Sequence, residues 1–216
     1  MWLFARAAVI MACDSFRTQE PPPLLIVISG SSGAGKDAVI ERMKELRLPF
    51  SFVVTTTTRA RRCNEVDAVH YNFVTVEEFW AMVQRGEMLE WAKVYDNYYG
   101  VPLHGVRAAL ASGRDVVVKV DVQGASTIRR KVSGATLIFI RPPSMKELER
   151  RLRSRHSETP DALAVRLGKA ADEYQELPLF DYVLTSYPHR IDEVVQQIQA
   201  IVTAEKCRVH PRRVEL

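Results

Sequence analysis

Nowhere in the sequence is there an uninterrupted apolar run of the roughly 18 residues that a membrane-spanning helix requires, so the chain reads as a soluble protein. Cysteine is scarce: Cys13, Cys63 and Cys207 are an odd number at unrelated spacings, which argues against a disulfide framework or a zinc site and for a reducing compartment. Histidine is sparse too, and His70, His104, His156, His189 and His210 show no metal-ligand spacing. No internal repeat or low-complexity segment is present. An excess of one charge is also nearly lacking, since 30 basic and 26 acidic residues leave a net +4. That surplus fits an anionic substrate and is too small to point to nucleic acid.

What is there is ordinary globular composition, 47% apolar and 26% charged over 216 residues, enough for one sizeable core. Met1 to Cys13 is apolar apart from Arg6, but the run after Arg6 barely reaches the length of a signal-peptide core; no targeting segment is expected, and Met11 offers a second start. Three prolines, Pro21 to Pro23, divide this tail (1–22) from a domain expected over 23–205. Residues 206–216 follow as a basic C-terminal tail, whose run from Lys206 to Arg213 reads as a solvated end.

Within the domain, apolar periodicity predicts strands at Leu24 to Gly30, Phe50 to Val54, Tyr71 to Val74, Met88 to Val94, Asp115 to Val122, Thr136 to Ile140 and Tyr182 to Leu184. It predicts helices at Asp37 to Leu46, Val76 to Gln84, Leu103 to Ala111, Ala125 to Lys131, Met145 to Arg153, Pro160 to Glu176 and Ile191 to Glu205. Such alternation means an α/β fold with a parallel sheet flanked by helices. Arg59 to Ala68 is polar and aperiodic, an exposed loop whose arginines could meet a charged ligand.

The strongest local signal is Gly30-Ser31-Ser32-Gly33-Ala34-Gly35-Lys36-Asp37-Ala38, directly after an apolar strand and opening a helix. That context separates a P-loop from a chance glycine-rich turn. Its backbone N–H groups and the helix N-terminus would cradle a di- or triphosphate, and Lys36 would reach the outer phosphates. Asp37 stands where Ser or Thr normally ligates Mg²⁺, and a carboxylate could take that metal directly or through water.

Further stretches follow in order: Thr57-Thr58-Arg59-Ala60-Arg61-Arg62, Glu65 with Tyr71-Asn72-Phe73-Val74, Gly86-Glu87-Met88-Leu89-Glu90-Trp91, Asn97-Tyr98-Tyr99-Gly100, Asp121-Val122-Gln123-Gly124, and Arg151 to Arg155 with Arg166. Together they resemble the guanylate kinase family over about 24–205. The resemblance implies a P-loop three-layer fold with a small mixed GMP-binding region at about 55–103 and a helical lid at about 153–170. It implies transfer of the γ-phosphoryl group of ATP to GMP with Mg²⁺. Arg59, Arg62, Tyr71 and Tyr99 would grip the acceptor phosphate, as guanidinium forks and phenols do.

Thr55, Glu90 and Asp121 would then face the base. A carboxylate at Glu90 can accept from guanine N1–H and N2–H together, whereas the bare N1 of adenine would repel it. Arg155 and Arg166 match the lid arginines that close over the transferring phosphate, with Arg151 one helical turn before Arg155. ATP and GMP are the expected partners, with no nucleic acid and no membrane; oligomeric state is not assigned. The expected compartment is the cytoplasm, or an organellar stroma or matrix for a plant source.

Departures from the family pattern stand out at four positions. Val101 and Ser186 replace Ser or Thr and Asn, and Lys119 stands where many guanylate kinases carry the first Asp of an Asp-x-Asp pair. Asp37 gains the carboxylate that position 119 loses, so Asp37 and Lys119 are expected to face each other as an ion pair. Gly35-Lys36-Asp37, with a basic residue before Val120-Asp121, resembles the subgroup of plant organellar and some bacterial guanylate kinases. Two rival readings are a ribosyl-bisphosphate kinase, similar at Gly35-Lys36-Asp37, and a catalytically silent guanylate-kinase-like binding module, in which the phosphate cradle is typically lost.

Overall fold

Every residue of β1 (Leu25–Ser29) is buried, because the strand is covered on both faces. Leu25 and Val27 pack against Val116, Val118, Ala125 and Ile128, whereas Ile26 and Ile28 pack against Val39, Met43, Val194 and Ile198. A continuous apolar run is therefore what a central parallel strand needs. The structure, a computed structural model, describes residues 20–63, 65–94, 96–154 and 160–216, for 160–162 the backbone only.

With β2 (Phe50–Phe52), β7 (Asp115–Lys119), β8 (Thr136–Arg141) and β9 (Tyr182–Thr185), β1 forms a five-stranded parallel sheet in the order β2-β7-β1-β8-β9. Helices α1 (Lys36–Glu45) and α7 (Ile191–Lys206) supply core residues to one face, α3 (Leu103–Ala111) and α4 (Val122–Lys131) to the other. This is the α/β three-layer architecture expected. No helix among the described residues is long and apolar enough to cross a membrane.

A second, mixed sheet in the order β4-β3-β6-β5 consists of β3 (Thr56–Thr57), β4 (Asn72–Phe73), β5 (Met88–Val94) and β6 (Asn97–Pro102). Helix α2 (Val76–Gln84) opens with a capping box, in which Glu78 N–H donates to Thr75 Oγ1 at 3.1 Å and Thr75 N–H donates to Glu78 Oε2 at 2.8 Å. The bounds of α2, α3 and β5 are those the periodicity predicts. β3 and β6 are additions: Asn97, Gly100 and Pro102 are poor strand formers, and the antiparallel ladder to β5 overrides them.

Two expectations are corrected. The strand at Asp115 ends at Lys119, not Val122, because Asp121 Oδ1 accepts from Gly124 N–H at 2.8 Å and starts α4 early. The C-terminal tail is not simply solvated. Glu205 is only 1% exposed, and Arg212 Nε donates to its Oε2 at 2.8 Å while Arg212 Nη2 lies 3.2 Å from Asp181 Oδ1. Burial of Glu205 demands that counter-charge.

Candidate active site

The phosphate loop follows β1 at its carboxyl end. Gly30 has φ +140, and a Cβ there would fall 2.0 Å from the carbonyl oxygen of Ile140; Gly35, with φ +104, caps α1. Both positions therefore require glycine. Lys36 Nζ donates to the carbonyls of Gly30 and, at 3.1 Å, Ser31. Burial pushes its ammonium below the ordinary value and Asp37 partly offsets this. Nearby, burial pushes the Glu173 carboxyl up to about 7, with Lys36 opposing.

The expected ion pair is present: Lys119 Nζ donates to Asp37 Oδ1 at 2.5 Å and to Tyr71 Oη at 2.8 Å. Burial works against the charge on Lys119, but Asp37 and Tyr71 outweigh it and hold the ammonium above its usual range. Two cations approach the Tyr71 ring, with Lys119 Nζ 4.3 Å and Arg59 Cζ 5.5 Å from its centroid. Tyr99 meets Tyr71 edge-on at 6.0 Å.

Arg59 is itself held by Glu65, whose Oε1 accepts from Nη2 at 2.7 Å while Oε2 accepts from the backbone N–H of Arg62 at 2.9 Å. One carboxylate thus fixes the loop that carries both arginines. The pair pulls the Glu65 carboxyl below its usual range despite its burial.

Glu90 is 2% exposed, on β5, and its Oε2 has no hydrogen-bond partner among the described residues. A register shift between Met88 and Glu90 inserts a bulge, so Met88, Leu89 and Glu90 are buried in succession before alternation resumes at Trp91. The bulge turns Glu90 toward Asp121, whose Oδ2 is likewise buried without a partner. Burial first, and Asp121 second, push the Glu90 carboxyl up to about 8. Room for the carboxylate comes from Gly124, where a Cβ would lie 2.6 Å from Glu90 Oε2.

These groups line one cleft of about 480 Å³, which brings together the loop (Gly30, Lys36, Asp37), the residues expected at the acceptor phosphate (Arg59, Arg62, Tyr71, Tyr99) and those expected at the base (Thr55, Glu90, Asp121). Ser31, Ser32, Gly33, Gly35 and Ala38 also line it, and Ala34 is buried beneath the loop. Arg166 reaches it from α6 (Pro160–Gln175). Arg151, on α5 (Met145–Arg153), does not: it donates to Glu147 Oε1 (2.7 Å) and to the carbonyls of Ala34 (3.0 Å) and Ser186 (2.7 Å), bracing the loop from behind. Arg155 lies outside the described residues.

Val101 is fully buried in the core and does not line the cleft, so its lost hydroxyl leaves no gap there. The sequence reading did not single out Lys169 and Glu173, which line the cleft with Arg166. Their i, i+3, i+7 spacing on one helical face was the available signal. Gly124 was part of a motif without a role, and only the fold shows what it faces.

Comparison with known proteins agrees with this geometry. A family profile described as guanylate kinase matches residues 23–205. The chain is 45% identical over 197 residues to "Guanylate kinase 2, chloroplastic/mitochondrial" of Oryza sativa subsp. japonica, covering 91% of this chain and 69% of that protein. It is 44% identical to the guanylate kinase of Caldanaerobacter subterraneus subsp. tengcongensis, covering 86% and 89%. The crystal structure of guanylate kinase from Anaplasma phagocytophilum matches with a TM-score of 0.72 at 30% identity, covering 89% of this chain and 91% of that one. The chain belongs to the guanylate kinase family.

Proposed function

We propose that the cleft binds ATP on the phosphate loop and GMP between β3, β5 and α4, and transfers the γ-phosphoryl group from one to the other. The observation that carries this is the pair of buried carboxylate oxygens, Glu90 Oε2 and Asp121 Oδ2, left without partners in a cleft continuous with the phosphate loop. Buried acceptors of this kind are costly unless a ligand supplies donors. Guanine presents N1–H and N2–H side by side, and adenine offers no such pair.

Arg59, Arg62, Tyr71 and Tyr99 would hold the GMP phosphate, with Glu65 keeping the two arginines in place. One oxygen of that phosphate bonds to the γ-phosphorus while the bond to the β,γ-bridging oxygen breaks, giving GDP and ADP. The attacking oxygen is already anionic, so no general base is required and catalysis rests on positioning and on cations at the phosphoryl group. Lys36 and Arg166 would supply that charge, with Arg155 of the lid; Arg151 would act by bracing the loop.

The residues present fit a divalent cation. Asp37 offers a hard carboxylate donor on the cleft even with its Oδ1 paired to Lys119 Nζ at 2.5 Å, and no cluster of three or more His, Cys, Asp or Glu exists among the described residues, so it would serve as a single carboxylate ligand. Mg²⁺ commonly uses one or two carboxylates and completes its shell with phosphate oxygens and water. Asp37 would hold it, and its chemistry when bound is to neutralise charge on the β- and γ-phosphates. We infer a cytoplasmic location or an organellar one, the latter such as the rice relative's name gives for that protein.

The test is a panel of acceptors, GMP, dGMP, AMP, UMP and ribose bisphosphate, each with ATP and Mg²⁺. GMP is the best acceptor. A best acceptor lacking guanine overturns the assignment.

A further inference from the structure

Lys119 lines the cleft, and the mechanism above leaves it unused. It ends β7 beside the phosphate loop: Lys119 pairs with Ile28 of β1, and Val120 N–H donates to the Ile28 carbonyl at 3.1 Å. Its carbonyl accepts from Thr55 Oγ1 at 3.3 Å, tying the same residue to the base side. The side chain reaches between two structures that bind different nucleotides, with Asp37 of α1 on one side and Tyr71 on the other. It is only 18% exposed, so the ammonium is fixed and poorly screened.

We propose that Lys119 is a phosphate-binding residue of this enzyme, a fixed cation that touches the acceptor phosphate and sits between it and the donor's phosphates. The inference rests on the placement of the acceptor phosphate at Tyr71 given above. An ammonium has three N–H donors. Asp37 and Tyr71 take two, and no third partner for Lys119 exists among the described residues. Lys119 and Arg59 approach the same tyrosine ring and Nζ lies 2.8 Å from its hydroxyl, so an anion received at that hydroxyl lies within reach of Nζ as well.

Charge balance supports the assignment. The cleft must bring a phosphate dianion up to a triphosphate, and the repulsion between them has to be met by cations already in place. Asp37 neutralises part of the Lys119 charge but also restrains Nζ between the sites, so that it does not fold onto either anion. A purely structural pair would equally join α1 to β7. The two roles differ in what they do to ligands that have or lack a phosphate.

The experiment compares wild type with Lys119→Met and Lys119→Arg by calorimetric binding of GMP and of guanosine, together with kcat and KM. Lys119→Met should weaken GMP about ten- to a hundredfold and leave guanosine within about twofold, the loss expected for one charge-assisted hydrogen bond. KM for GMP rises and kcat falls with it, and Lys119→Arg recovers part of both. If Lys119→Met does not fold, Lys119→Gln, which keeps a donor but no charge, carries the comparison.

Unchanged GMP affinity in a folded, neutral variant overturns the proposal, as does an equal loss for GMP and guanosine. Wild-type protein that prefers an acceptor without guanine fails the functional reading instead, and the two failures are separate because the second appears before any variant is made.

Discussion

A carboxyl group that stays protonated near neutrality cannot accept two N–H donors, so the proposed reading of Glu90 requires it to lose its proton when guanine arrives. Its carboxyl is pushed up to about 8 in the empty protein, by burial and then by Asp121, with Lys131 opposing weakly. Binding of GMP near pH 7 therefore releases a proton, and calorimetry in two buffers of different ionisation enthalpy measures it; equal apparent enthalpies count against the account. The same shift makes the ligand-free fold less stable as pH rises. Between the ordinary value of 4.5 and about 8, the unfolded chain gives up a proton that the folded chain keeps. Glu173, pushed up to about 7, acts in the same direction, so the diagnostic quantity is the difference from Glu90→Gln. That variant should show a shallower fall of melting temperature with pH and lose about a hundredfold in kcat/KM for GMP. Gly124→Ala separates space from charge at the same point. Alanine is worth roughly 0.5–1 kcal/mol to a helix interior. Its Cβ would nevertheless sit 2.6 Å from Glu90 Oε2, so GMP turnover should fall steeply while the melting curve moves by only a few degrees.

The loop between β3 and β4 shows how a segment with little regular structure can hold side chains in fixed positions. Glu65 ties the Arg59 side chain to the Arg62 backbone, and Arg59 lies over both Tyr71 and Phe73. Glu65→Ala should raise KM for GMP about tenfold with a smaller change in kcat, because it removes a positioning carboxylate and no group on the transferring phosphate; steady-state kinetics at saturating ATP decide. How much of this was legible in the sequence follows from how local each determinant is. The phosphate loop could be read from its residues alone, because strand, glycines, lysine and helix are contiguous. The Asp37 to Lys119 pair could be inferred from complementary departures 82 positions apart, and the side chains do meet. Glu90 was recognised by resemblance, but what aims it is a bulge, and strict alternation would have put Leu89 and Glu90 on opposite faces. Arg151 had the spacing of a lid arginine, but its direction is set by carbonyls of Ala34 and Ser186, distant in sequence. β6 was hidden because its glycine and proline argue against the strand that its partner imposes.

At the scale of the whole molecule, the two ends of the parallel sheet do different work. The phosphate loop, Lys119 and Asp121 follow the carboxyl ends of β1 and β7, the usual place for a ligand in an open α/β sheet. The amino ends carry a network of ions. Asp115, at the start of β7, accepts from Leu24 N–H at 3.0 Å and meets Lys206 at 2.7 Å. Asp181, just before β9, accepts from Leu137 N–H and from Arg129, both at 2.8 Å, and pairs with Arg212. Arg212 also neutralises buried Glu205, which accepts from Tyr182 Oη at 2.6 Å, and Val214 packs on the core beside it. The last ten residues thus hold the sheet from the end opposite the chemistry. Arg212→Ala leaves Glu205 with Tyr182 and Arg208 alone and should cost about 1–3 kcal/mol. For a chain of this size that is a fall of several degrees in melting temperature. KM for GMP and ATP should stay at wild-type values at 25 °C, since no atom of the cleft is touched. Glu90→Gln should do the reverse, leaving or raising the melting temperature while removing recognition. If Arg212→Ala instead changed KM at an unchanged melting temperature, the two ends of the sheet would have to be coupled through the strands, and the division of labour drawn here would fail.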